Sequence, residues 1–168
     1  TMKTARDIIL KLPPLVDTVG VFVNESVDRI NKVANYCGLD LVQLHGEESP
    51  AFCRKIQRRV IKAFRIKDLQ SVKQLEKYSV SGYLLDTFSD NLHGGTGKIF
   101  DWNLALPAKK MGPVILAGGL TAHNILQAIR QARPYGVDVC SGVEKLPGVK
   151  DPEKVRAFLK NIRSGSKL

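Results

Sequence analysis

Asp86 ends an apolar run, Tyr83-Leu84-Leu85, and is followed by a glycine loop, Gly94-Gly95-Thr96-Gly97, and then by Phe100-Asp101-Trp102. A carboxylic acid that ends an apolar strand at a ligand site can act as a proton donor, so Asp86 is the candidate general acid. Pairing with a nearby lysine is the plainer alternative for it. His45 follows a second apolar run, Leu41-Val42-Gln43-Leu44. At a strand end an imidazole can line a ligand site, although a lone histidine is as readily structural. Gly118-Gly119 come directly after Val114-Ile115-Leu116-Ala117 and before a helical segment. Glycines let backbone N–H groups approach an oxyanion, and a helix N-terminus adds partial positive charge, so this is a phosphate seat or else a tight turn capped by Thr121. Asp138-Val139-Cys140-Ser141-Gly142 repeats the device one strand later, and two such loops on adjacent strands predict a shared phosphate cup. The Gly94 to Lys98 segment is not a P-loop, because Leu92 stands where the first glycine belongs and Ile99 replaces the hydroxyl residue. A loop that closes over substrate is the expectation there.

These residues need a scaffold that gathers strand ends. Short apolar runs begin at residues 19, 41, 60, 82, 114 and 137, which leaves room for a strand and a helix each time. Between them Val27, Ile30, Val33, Ala34 and Cys37 share one helical face, Ile125, Ala128, Ile129 and Ala132 another, and Val155, Phe158, Leu159 and Ile162 a third. Alternating β and α predicts a parallel sheet, and nearly continuous apolar strands predict cover on both faces. The glycine and polar residues fall just after strands 41–44, 82–85, 114–117 and 137–140, which favours a (β/α)8 barrel over an open doubly wound sheet. About six of eight strands are present, and the chain starts within a helix, Thr4 to Leu12, so the expectation is one domain over residues 1–168 that is incomplete at its N-terminus.

Composition narrows the partners. No apolar run approaches the roughly 18–20 residues that span a bilayer, and no secretory pattern opens the chain, which predicts a cytoplasmic protein with no membrane partner. Cys37, Cys53 and Cys140 are odd in number and lack metal-ligand spacing, so no metal site is expected, and a Cys37/His45/Cys53 cluster is outweighed by cysteines acting as small core residues. The net charge of +10 asks for an anionic partner. The densest basic cluster, Arg54, Lys55, Arg58, Arg59 and Lys62, has no interleaved stacking aromatics, so a small phosphorylated ligand is preferred to nucleic acid and the cluster is read as solvated helix face. Asn24-Glu25-Ser26 is read as a helix cap rather than a glycosylation site.

Six motifs in unbroken order carry a resemblance. Gly20-Val21-Phe22-Val23-Asn24, Val42-Gln43-Leu44-His45-Gly46-Glu47, Leu84-Leu85-Asp86, Gly94-Gly95-Thr96-Gly97 with Phe100-Asp101-Trp102, Leu116-Ala117-Gly118-Gly119-Leu120, and Val137 to Glu144 with Pro147-Gly148 and Lys150-Asp151 together closely resemble the phosphoribosylanthranilate isomerases of tryptophan biosynthesis. The resemblance implies a phosphate-binding TIM barrel that performs an Amadori rearrangement with no metal or organic cofactor. It makes Asp86 the general acid, places His45 and Asp138 along the substrate, and gives the phosphate to the backbone around Gly118, Gly119, Cys140 and Ser141. The family's base is a cysteine at the end of its first strand in a Lys-Ile-Cys-Gly-like motif, and its arginine after the second strand meets the anthranilate carboxylate. Neither motif occurs here. Lys3 does not match the arginine, and none of the three cysteines matches the base, so this chain is expected to be impaired in turnover. A non-catalytic phosphate-binding or barrel-complementing fragment is the alternative, with exposed sheet edges favouring association as a homodimer or with another chain. A third reading, another phosphate-binding barrel enzyme such as indole-glycerol-phosphate synthase, fits the Gln43 to Glu47 and Asp86 to Trp102 patterns less well.

Overall fold

The computed structural model describes residues 1–87 and 101–165. Gly94, Gly95, Thr96 and Gly97, the expected closing loop, lie outside the described residues. Six strands form one sheet: β1 (Val19–Phe22), β2 (Leu41–Leu44), β3 (Arg59–Ile66), β4 (Gly82–Thr87), β5 (Val114–Leu116) and β6 (Gly136–Val137), paired in that same order. A doubly wound sheet reverses its strand order at a switch point, and this sheet does not, so the winding is the single, barrel-type one. Val19 faces Leu41 and Leu41 faces Arg59 in parallel register, as Ile115 faces Gly136.

The chain divides into two compact units, with divisions inside β3, between residues 75 and 76, and inside β4. The first comprises Thr1–Ala63 and Glu76–Tyr83. It opens with α1 (Met2–Ile9), whose first turn is capped by the Thr1 hydroxyl accepting from the Thr4 N–H. Ser26 caps α2 (Val27–Cys37), as the sequence suggested, by accepting from the Arg29 N–H. Ile30, Ala34 and Cys37 point inward from α2 onto Val42 and Leu44 of β2, and this apolar core also takes in Cys53, the last residue of the short α3 (Pro50–Cys53). Val60, where the third apolar run was expected to begin, joins this core from a strand that starts one residue earlier and runs to Ile66.

Two expectations fail in this unit. The strands are not all covered on both faces, because Val19 and Val21 of β1 are 41% and 58% exposed. β1 is the terminal strand of the sheet order, and the face that carries them is only partly covered by the described residues. The basic cluster is not all solvated helix face either. Arg59 and Lys62 lie on β3, and Lys62 is only 3% exposed.

The second unit comprises Phe64–Leu75 and Leu84–Leu168. It contains α4 (Leu69–Lys73), held by a capping box between Asp68 and Ser71, then α5 (Ala105–Ala108), α6 (Ile125–Ala132) and the terminal α7 (Pro152–Gly165). Ile125, Ala128 and Ala132 are fully buried from α6, and Phe158 is buried from α7. Leu159, expected on the same covered face as Phe158, is exposed instead and lines an open groove with Arg156, Lys160 and Arg163. The last strand is shorter than the expected 137–140. Its hydrogen bonding ends with the Asp138 N–H on the Leu116 carbonyl, because β6 is the other terminal strand and has only β5 beside it. Beyond it an unforeseen antiparallel hairpin, β7 (Glu144–Leu146) and β8 (Val149–Lys150), turns at Pro147-Gly148.

Candidate active site

In the second unit the acid and the first glycine loop are in direct contact. Asp86 is half-buried near the end of β4, and its Oδ1 accepts the Thr87 backbone N–H at 2.7 Å. Gly118 has φ +80°, the left-handed region that costs any residue with a Cβ roughly 1–2 kcal/mol. A Cβ there would also overlap Asp86 Oδ1 and stand 2.5 Å from Thr87 Oγ1 and 2.6 Å from Thr87 N. Only glycine lets this backbone pass so close to the carboxylate. Gly119 follows at φ +64°. Asn124 then staples the loop: its Nδ2 donates to the Gly119 carbonyl at 2.9 Å and its Oδ1 accepts the Thr121 N–H at 2.8 Å, immediately before α6 begins.

The second glycine loop packs on the first. A Cβ on Gly142 would collide with the Leu120 carbonyl oxygen and lie 3.3 Å from Thr121 Cγ2. Asp138 sits at the neighbouring strand end with its backbone N–H on Leu116, and its side chain is exposed. Cys140 and Ser141, also exposed, enter a single 3-10 turn, Ser141–Val143. Lys150 fastens that turn, with Nζ donating to the Cys140 carbonyl at 2.9 Å and to Glu144 Oε1 at 2.9 Å. The Lys150 ammonium holds the Glu144 carboxyl below the usual range, and Glu144 in turn raises Lys150. Thr87 Oγ1 is buried without a hydrogen-bond partner among the described residues, a feature the sequence did not signal.

His45 belongs to the first unit. It follows β2, with its backbone N–H on the Phe22 carbonyl at 2.8 Å and its Nδ1 3.0 Å from Gln43 Nε2. Beneath it lies a pair the sequence reading missed. Lys62 and Glu48 have side chains 3% and 2% exposed and stand 3.3 Å apart, Nζ to Oε2. The available signal was the context of Lys62, a single charge inside the apolar run Val60-Ile61-Lys62-Ala63-Phe64. Of the cysteines, Cys37 and Cys53 are buried and Cys140 is exposed. Burial pushes the Cys53 thiol up, keeping it a neutral core group.

The family model described as N-(5'-phosphoribosyl)anthranilate (PRA) isomerase matches residues 2–161. The chain belongs to this family. The N-(5'-phosphoribosyl)anthranilate isomerase of Geotalea uraniireducens is 55% identical over 159 residues, which are 95% of this chain and 78% of that protein. A crystal structure of phosphoribosyl anthranilate isomerase from Thermotoga maritima matches with a TM-score of 0.90 at 43% identity, covering 98% of this chain and 81% of that one. A further phosphoribosyl anthranilate isomerase structure, in complex with reduced 1-(o-carboxyphenylamino)-1-deoxyribulose 5-phosphate, matches with a TM-score of 0.84 at 40% identity, covering 98% of this chain and 80% of that one. The chain is thus an isomerase of tryptophan biosynthesis with the barrel-type α/β fold of phosphoribosylanthranilate isomerases. No helix among the described residues is long and apolar enough to cross a membrane.

Proposed function

We propose that Asp86 is the proton donor of the isomerisation and that the two glycine loops beside it hold the substrate phosphate. The observation that carries this reading is the contact between Gly118 and Asp86, because it sets the acid directly against a loop built for an oxyanion. In the first step Asp86 protonates the furanose ring oxygen of N-(5-phosphoribosyl)anthranilate, the C1–O bond breaks, and the anthranilate nitrogen forms a C=N bond to C1. Loss of the C2 proton then gives an enolamine, which tautomerises to 1-(2-carboxyphenylamino)-1-deoxyribulose 5-phosphate. Carbon 1 is reduced and carbon 2 oxidised within one molecule, so the steps balance without an external redox partner. The backbone of Gly118, Gly119, Cys140 and Ser141 takes the phosphate, while His45 and Asp138 line the substrate. Buried Cys37 and Cys53 are unsuited to take the C2 proton, and Cys140 is engaged with Lys150, so none of them is assigned that role.

Supporting this reading, the positive φ of Gly118 and Gly119 and the packing of Gly142 on Leu120 bring two loops of the same type together. The test is binding and turnover together. The product analogue named above, titrated into the chain, should bind and be displaced by inorganic phosphate, and the fluorescence of phosphoribosylanthranilate should be lost more slowly in Asp86→Asn than in the parent. Analogue binding that phosphate does not oppose would refute the phosphate cup. We also place the chain in the cytoplasm, where a soluble phosphorylated metabolite is met, and assign self-association to the edge of β1. Val19, Val21 and Val23 are exposed there, and a Thermotoga maritima relative is described as dimeric. A sedimentation coefficient independent of concentration would remove the second assignment.

A further inference from the structure

We propose that Lys62 and Glu48 form a buried positioning strap for His45, an inference that rests on the substrate-lining role assigned to His45 above. The Lys62 ammonium donates to the Leu44 carbonyl at 3.3 Å and to the Gly46 carbonyl at 2.8 Å, the two residues that flank His45 by one position on each side. Its third backbone partner is Ala63, next to it on β3, at 2.8 Å. Glu48 completes the enclosure from the other side. Its Oε1 accepts the Asn24 N–H at 2.9 Å, and its Oε1 and Oε2 share the Gly46 N–H at 3.2 and 3.0 Å. Asn24, at φ +52°, returns a contact by accepting the Glu47 N–H on Oδ1 at 2.7 Å. Two opposite charges, both almost fully buried, therefore hold the segment 44–48 and Asn24, the second residue beyond β1.

Stability alone does not call for such a pair. Apolar residues of similar volume commonly do as well or better than a buried ion pair, because two charges must be taken out of water. What apolar residues cannot do is bond the carbonyls of Leu44 and Gly46 and the N–H groups of Asn24 and Gly46, which would be left without these partners. The chemistry is suited to fixing a loop backbone, and the side chain standing on that backbone is His45. Tyr78 adds to the support by donating its hydroxyl proton to the Glu48 carbonyl at 3.1 Å.

The experiment compares the parent with Glu48→Gln and with the paired variant Lys62→Met/Glu48→Leu, with His45→Asn as a control. Three quantities are read: the melting temperature, the imidazole resonances of His45 in an NMR titration with pH, and the dissociation constant for the reduced product analogue. The strap predicts that the paired variant still folds, shows displaced or broadened His45 resonances, and binds the analogue about tenfold or more weakly, the scale expected when a contact group is misplaced. Parent-like resonances and affinity in the folded paired variant would overturn the strap. Loss of the fold in both variants would overturn it too, by assigning the pair to stability. If the resonances move while affinity stays unchanged in both the variants and His45→Asn, the strap stands and the substrate-lining role of His45 falls.

Discussion

Gly118→Ala puts the contact between the acid and the glycine loop to the hardest test. At φ +80° the added methyl costs roughly 1–2 kcal/mol in backbone conformation. It also enters space held by Asp86 Oδ1, Thr87 Oγ1 and Thr87 N. Overpacking of this kind costs about 1–3 kcal/mol, and the Thr87 nitrogen is main chain that cannot rotate aside. The total, about 2–5 kcal/mol, lowers the melting temperature by about 4–20 °C for a chain of this size and leaves it folded at 20 °C. The carboxylate, the mobile member of the three, gives way and leaves its place. A displacement near 1 Å is worth on the order of 100-fold in kcat/KM, so the chain should lose turnover while folded. Calorimetry and loss of phosphoribosylanthranilate fluorescence measure the two effects on one preparation, with Gly119→Ala at φ +64° as the comparison. Adding Thr87→Ala should not restore either property, since the backbone nitrogen remains. A Gly118→Ala chain with the parent's melting temperature and turnover would refute the argument.

Further expectations follow from other parts of the molecule. Asp86→Asn should lower kcat by about 100-fold or more with little change in analogue affinity, as expected for lost general acid catalysis, and steady-state kinetics with analogue titration will show it. Arg133 ends α6 at φ +45°, so Arg133→Gly should raise the melting temperature, by roughly 1 kcal/mol of relieved backbone cost. Ser26→Ala should cost about 1 kcal/mol in urea unfolding, through loss of the cap on α2. Thr18 hydrogen bonds lower the Asp40 carboxyl, and a Lys150 hydrogen bond lowers Glu144. A depressed carboxyl contributes stability above its unfolded pKa and loses it as pH falls through the folded value, so the urea midpoint should drop below about pH 4. Asp40→Asn should flatten that acid limb; an unchanged slope would remove Asp40 from it.

The sequence made the parts of the site that depend on local chemistry easy to read. Gly118-Gly119 between an apolar run and a helix could be read as a glycine turn at a strand end, and Ser26 as a cap, because backbone conformation near glycine and hydroxyl residues is set by neighbours in the chain. Asp86 was legible for the same reason, as the charge that ends an apolar strand. Lys62 was not. Its neighbours in sequence are basic as well as apolar, and what buries it is a carboxylate 14 positions earlier and carbonyls from another strand, contacts that no local pattern encodes. The exposure of Val21 and Leu159 was missed because periodicity tells which residues share a face but not whether anything lies against that face. The short β6 followed from the same blindness to neighbours, since a strand at the end of the order has one partner to sustain it.

The order of the sheet has a consequence for how the molecule is made. Within the six-stranded sheet each strand from β2 to β6 pairs with the strand that precedes it in the chain. During synthesis each new strand therefore finds its template already emerged, and none must wait for a distant partner or thread between two finished ones. Closing short segments in this way is fast compared with long-range pairing. The cost falls on the strand at the end of that order. β1 exposes Val19 and Val21 on one face, and a chaperone or a neighbouring nascent chain on the same polysome can meet that surface while the rest of the sheet is still being made.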